Sequence, residues 1–138
     1  MKFTCTKTNF NNGINIALKA VPGKTTMPIL ECVVIEAKGD MEKLTTNDMQ
    51  LGIETKIPAE IEQDGIILVN AKMISEIVRR LPDDDVNFEV DENNNILLFC
   101  GKSKFNIPGI PHDEFPMLPK IEADKTIHIS QFTLKEMI

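Results

Sequence analysis

Few side chains in this sequence are suited to chemistry. The only imidazoles are His112, inside a proline-rich segment, and His128, near the C-terminal end. Neither stands beside a serine or cysteine nucleophile in a recognised motif, and no HExxH or other paired-histidine spacing exists to hold a metal. No GxGxxG or GxxxxGK[ST] loop is present to cradle phosphates. Asp83-Asp84-Asp85 gathers three carboxylates, but a run that follows the helix-ending Pro82 reads as a solvated turn. Cys5, Cys32 and Cys100 fall in strand-like, apolar settings and read as core residues. The expectation is a protein with no catalytic residue, no metal and no cofactor.

The charged residues carry a clearer pattern. The 138-residue chain has a net charge of −6, which at first sight disfavours nucleic acid. Residues 7–24, however, hold Lys7, Lys19 and Lys24 and no acid. Residues 69–81 hold Lys72, Arg79 and Arg80 against Glu76 alone. The rest of the chain is left with nine basic and twenty acidic residues. Two positive segments in an otherwise acidic chain allow long-range attraction to phosphate without tight adhesion. Solvated helix faces are the plainer reading of the same charges.

Both positive segments read as helices. Phe10, Ile14, Ala17, Leu18 and Val21 form one apolar stripe, Thr8 is the expected cap, and Pro22-Gly23 is the stop. Asn11, Asn12, Asn15 and Lys19 take the opposite side. The second helix has Asn70 as N-cap and Ile74, Ile77, Val78 and Leu81 as its stripe. Lys72, Glu76 and Arg79 share another face, and Pro82 closes it. Around the helices lie strands: Lys2–Thr6 before the first, then Ile29–Ala37, Lys43–Thr46, an alternating Met49–Ile57, Ile66–Val69, Val86–Val90, Ile96–Cys100 and Lys102–Ile107. Two helices with about eight strands predict an α+β domain, both helices packed on one antiparallel sheet face. Residues 108–120 contain four prolines and read as irregular and linker-like. A strand over 125–130 and a helix from Phe132 then repeat the opening order of the chain. The expected organisation is one domain over 1–120 and a truncated second copy over 121–138.

The strand beginning at Lys102 admits two readings. Lys102 and Lys104 point one way, Phe105 and Ile107 the other. Lysines on an edge strand guard a monomer against strand addition. Alternatively, the edge recruits a partner whose acids answer the lysines, which makes the chain a non-catalytic protein-interaction domain. Three cysteines without a CxxC pair argue against a disulfide framework and for a reducing, cytoplasmic compartment. No apolar run approaches the roughly 18 residues of a membrane span.

Several strings, in order along the whole chain, resemble the bacterial DNA polymerase III β subunit, the sliding-clamp family. They are Met1-Lys2-Phe3-Thr4, Thr26-Met27-Pro28-Ile29-Leu30, Leu44-Thr45-Thr46-Asn47-Asp48-Met49, Arg79-Arg80-Leu81-Pro82-Asp83, and Gly101-Lys102-Ser103-Lys104-Phe105 with Asp113-Glu114-Phe115-Pro116. The resemblance implies the DNA clamp fold, with this chain as one domain of a three-domain ring subunit. Two such subunits form a homodimer around double-stranded DNA, with helices lining the hole and sheets outside. It implies a non-catalytic processivity factor that tethers the replicative polymerase during DNA replication. The DNA polymerase III alpha subunit and the clamp loader bind such rings through domains missing here.

By the same resemblance, Lys24 falls where the family has a DNA-contacting arginine, retaining the charge and losing bidentate geometry. Lys72 and Arg79 fall on cationic positions of the second helix, and Arg80 lies where the family often has a small residue. Phe105 and Ile107 match the apolar part of the dimer interface, and Lys102 and Lys104 match its basic side. Met73 and Asn95 replace cations seen in some relatives, which implies a weaker ionic contribution to that interface.

Overall fold

The computed structural model describes residues 1–118 and 128–137. The chain opens with β1 (Lys2–Thr6), which runs directly into α1 (Lys7–Ala17). Thr6 is extended and its side chain accepts a hydrogen bond from the Asn9 amide at 3.1 Å, so Thr6 rather than Thr8 caps the helix. Because the strand leads straight into the helix, Thr8 already lies inside the first turn. α1 tightens into a 3-10 turn over Leu18–Ala20 before Pro22 and Gly23 release the chain.

Pro28–Glu31 makes a second 3-10 turn where a continuous strand from Ile29 is expected, because Pro28 presets a helical φ at its start. Then follow β2 (Cys32–Lys38), β3 (Met41–Asn47), β4 (Gly52–Pro58), β5 (Glu60–Gln63) and β6 (Gly65–Asn70). α2 (Ala71–Arg80) precedes β7 (Asp85–Val90), β8 (Asn95–Cys100) and β9 (Ser103–Pro108). A short α3 (Gln131–Met137) is exposed along its length. The strand expected over 125–130 begins outside the described residues, and 128–130 carry no strand.

The alternating run from Met49 does not start its strand there. Asp48 Oδ1 accepts hydrogen bonds from the amides of Gln50 and Leu51, at 2.8 and 2.6 Å, and Met49 sits in the left-handed region at φ 75°. These bonds stabilise the ionised carboxylate and hold the Asp48 carboxyl below its ordinary range. The turn therefore consumes residues 48–51, and β4 begins at Gly52.

The strands form two antiparallel sheets, not one: β5-β1-β7-β8-β9 and β4-β3-β2-β6. The two helices pack against each other and lie across the four-stranded sheet, α1 over β3 and β4, α2 over β2 and β6. One buried cluster joins both sheets and both helices. At its centre Phe3 of β1 stacks on Phe88 of β7 at 4.8 Å between ring centroids, and Phe10 of α1 meets both edge-on at 6.3 and 6.2 Å. This trio pins α1 to the five-stranded sheet. Gly13 lets the helix approach the other sheet: a Cβ there would stand only 3.0 Å from Ile57 and 3.1 Å from Leu44.

Residues 108–118 of the proline-rich segment are anchored on the domain. Ile110 exchanges backbone hydrogen bonds with Leu68 at 2.9 and 2.8 Å. Phe115 is buried with Cys32, Val34 and Leu68, and Asn47 Nδ2 donates to the Pro116 carbonyl at 2.9 Å. It straps the outer face of the four-stranded sheet.

Candidate nucleic-acid interface

The second helix presents most of the candidate cations, and its sequence determines which way they face. Asn70 caps it, accepting from the Met73 amide at 2.9 Å. Burial of Ala71, Ile74, Ser75 and Val78 turns that stripe onto the sheet. Lys72, Glu76 and Arg79, at i, i+4 and i+7, are left together in solvent, with exposed Arg80 beside them. Arg79 and Arg80 occupy the last turn, where cations also favour the helix dipole. That local stabilisation gives the two arginines a purpose independent of any ligand.

Asn12, Asn15 and Ile16 of α1 and Lys19 of the 3-10 turn that follows it are exposed, with no acid among them. Since α1 and α2 pack side by side, their exposed faces adjoin. Lys24 is also exposed, on the loop between the two 3-10 turns. Among the described residues, the ion pairs engage Lys2, Lys43 and His112, and none involves Lys24, Lys72, Arg79 or Arg80. Unneutralised cations on neighbouring helices attract phosphate through the field, and Glu76 in their midst tempers the grip.

β9 is the outer strand of its sheet and pairs with β8 alone. Lys102 and Lys104 are both exposed, but Lys102 lies in the turn before the strand, where Gly101 takes φ 56°. Lys104 Nζ stands 5.3 Å from the centroid of the Phe99 ring, a cation–π distance. Phe105 is half-buried. Ile107 does not share that availability: it is 1% exposed and packed into the chain's own core, so its side chain has no free surface to offer a partner. The alternation that turns Phe105 partly inward turns Ile107 fully inward.

The remaining reactive types are structural. Burial raises the thiols of Cys5, Cys32 and Cys100, which disfavours the nucleophilic thiolate. Cys100 donates weakly to the Pro82 carbonyl at 3.4 Å. The Asp83-Asp85 run is a junction: the Asp84 carbonyl accepts from the Lys7 amide at 3.2 Å, and Asp84 Oδ1 accepts from Asp85. His112 and His128 are exposed, His112 beside Asp113 at 3.8 Å. Among the described residues, no group of three or more His, Cys, Asp or Glu converges to hold a metal ion.

One residue escaped sequence reasoning. Glu42 of β3 points into the core, fully buried against the Cys5 thiol, and neither carboxyl oxygen has a hydrogen-bonding partner. Burial pushes its carboxyl up to about 8. The signal was present as an acid on the same alternation as Leu44 and Thr46, both core-facing.

Comparison with known proteins places this geometry. Residues 1–119 match the family model described as DNA polymerase III beta subunit, N-terminal domain. The whole chain is 38% identical to the beta sliding clamp of Bacillus subtilis (strain 168) and covers 39% of that protein. The beta sliding clamp of Synechocystis sp. is 32% identical over 99% of the chain and 37% of its own length. Among solved structures, a DNA polymerase III beta subunit from Eubacterium rectale superposes with a TM-score of 0.94 at 51% identity, covering 99% of this chain and 38% of that one. The DNA polymerase sliding clamp from Bacillus subtilis gives 0.94 at 37% identity, with the same two coverages. The chain thus spans about two-fifths of the length of these relatives. On this match over nearly its full length, the chain belongs to the DNA polymerase III beta subunit family.

Proposed function

We propose that this chain is the first domain, residues 1–120, and the start of the second, residues 121–138, of a subunit that acts as a DNA polymerase processivity factor. Two subunits close as a homodimer around double-stranded DNA and tether the replicative polymerase in the cytoplasm, without catalysis of their own. The DNA polymerase III alpha subunit and the clamp loader engage domains outside this chain. The observation that supports the proposal is the packing of α1 and α2 across one sheet, with Lys72, Arg79 and Arg80 of α2 and Lys19 of the turn after α1 exposed and, among the described residues, in no ion pair. Encirclement retains DNA topologically, so a modest field suffices and sliding stays fast.

In this reading Lys24, Lys72, Arg79 and Arg80 face the duplex. Lys102, Lys104 and Phe105 meet the third domain of the partner subunit along the β9 edge, and Ile107 supports that strand from within. Neutralising Lys24, Lys72 and Arg79 to Gln in the full-length subunit tests it. Loading onto nicked circular DNA should weaken, and the slope of log affinity against log salt should fall by about one for each lost phosphate contact. The free β9 edge also supports a second reading, a protein-interaction domain that recruits its partner by strand addition. DNA loading unchanged by the triple substitution would favour it.

A further inference from the structure

The outer face of the four-stranded sheet, turned away from both helices, carries a second cationic feature. Strand alternation sends Ile35, Ala37, Leu44 and Ile57 into the core and Glu36, Lys38, Lys43 and Lys56 outward. These four side chains and Met41 line a depression of about 220 Å³. The register sets their spacing: Glu36, Lys43 and Lys56 form one row across three strands, and Lys38 with Met41 and Pro58 forms the next. Lys43 is already paired, to Glu36 at 3.2 Å and Glu54 at 3.9 Å. Among the described residues, no carboxylate lies within ion-pair distance of Lys38 or Lys56, and both are exposed. The lining is therefore three lysines against one acid, in a chain whose net charge is −6.

Lys38 and Lys56, in no ion pair among the described residues, lie on either side of the half-buried Met41 thioether in the lining. Lys38 and Lys56 are two strands and one row apart, which at about 4.8 Å per strand and about 7 Å per two residues sets their Cα atoms about 12 Å apart. In an extended peptide, residues i and i+4 project from the same face about 13 Å apart, with i+2 between them. A nucleic acid fits this face poorly, because Glu36 and Glu54 interrupt the cations and would repel a continuous phosphate chain.

We propose that this face docks an extended acidic segment of a partner protein, of the pattern acid-x-apolar-x-acid, with its carboxylates on Lys38 and Lys56 and its apolar side chain on Met41. The site lies on the sheet face opposite the helices and goes beyond the DNA-encircling reading. A partner held there leaves the α1–α2 surface free.

The probe is a fluorescein-labelled peptide, Gly-Asp-Ser-Leu-Ser-Asp-Gly, titrated by anisotropy against the full-length subunit and its Lys38→Gln/Lys56→Gln variant. Both substituted side chains are exposed, and an unchanged melting temperature verifies the fold. Loss of two exposed ion pairs should weaken binding about fivefold. Replacing both Asp residues of the probe by Asn should weaken it similarly, with no further loss in the variant. Equal affinity for wild type and variant would overturn the proposal, as would no binding at millimolar peptide. Equally effective competition by an oligothymidylate would overturn it in favour of a general anion surface. DNA loading should be unchanged in the double variant, which separates failure here from failure of the clamp reading.

Discussion

Replacing Glu42 with Gln should remove a strong pH dependence from the stability of this chain between about pH 5 and 8. Its carboxyl is fully buried, with no partner for either oxygen, and burial pushes it from 4.5 up to about 8. Below pH 4.5 both folded and unfolded chains hold the proton, and the residue adds no pH-dependent cost. As pH rises from 4.5 to 8 the unfolded chain ionises while the folded chain cannot, so the folded state loses about 1.4 kcal/mol per pH unit. The loss reaches about 3 kcal/mol at pH 7 and levels off near 5 kcal/mol above pH 8, a large fraction of ordinary domain stability. Glutamine cannot ionise, so Glu42→Gln removes the slope while keeping a fixed cost for its unpaired amide. Urea denaturation at intervals from pH 5 to 9 reads this directly. The variant should gain on the wild type by an amount that grows steadily until about pH 8. Parallel curves would refute the assignment of a neutral buried acid.

Two other substitutions test the packing. Gly13→Ala should destabilise the fold by about 1 kcal/mol in thermal melts, because crowding against Ile57 and Leu44 outweighs a helix-propensity gain of at most about 1 kcal/mol. A more stable variant would show that the helix–sheet gap is looser than drawn. Phe105→Ala in the full-length subunit should shift dimer toward monomer in sedimentation, since burying such an aromatic is worth about 1.5–3 kcal/mol. An unchanged dissociation constant removes Phe105 from the interface.

Sequence reasoning recovered the elements whose signals are local. α2 was legible because Asn70 caps it and Pro82 stops it, with a clear 3.6-residue stripe between. β7 followed from the alternation of Val86, Phe88 and Val90, β8 from the short apolar run Ile96–Cys100, and β9 from the opposed faces of Lys104 and Phe105. What was lost depended on partners distant in sequence. β5, Glu60–Gln63, is short, largely polar and exposed, so nothing in its pattern marks a strand until β1 pairs with it. The division into two sheets is a matter of pairing, which periodicity does not encode. Residues 108–120 read as a linker because prolines dominate them, yet within the described part Ile110 and Phe115 are held by Leu68 and Cys32, both far upstream.

At the candidate interface, charge and helical spacing were enough to identify Lys72 and Arg79 as exposed neighbours. They could not reveal that Ile107 is consumed by the core, because strand alternation gives a side chain's face and not its depth. Glu42 was hidden for the converse reason: an acid within a polar-looking stretch, Glu42-Lys43, is ordinarily a solvated one.

A closed ring retains DNA by topology, and the most direct measurement loads the full-length subunit onto nicked circular DNA with a clamp loader and ATP. After a wash in moderately high salt, the circle is linearised and the bound protein counted. A topological ring should be retained on the closed circle and lost once ends are made. Binding that is stripped by salt and indifferent to DNA ends would contradict it.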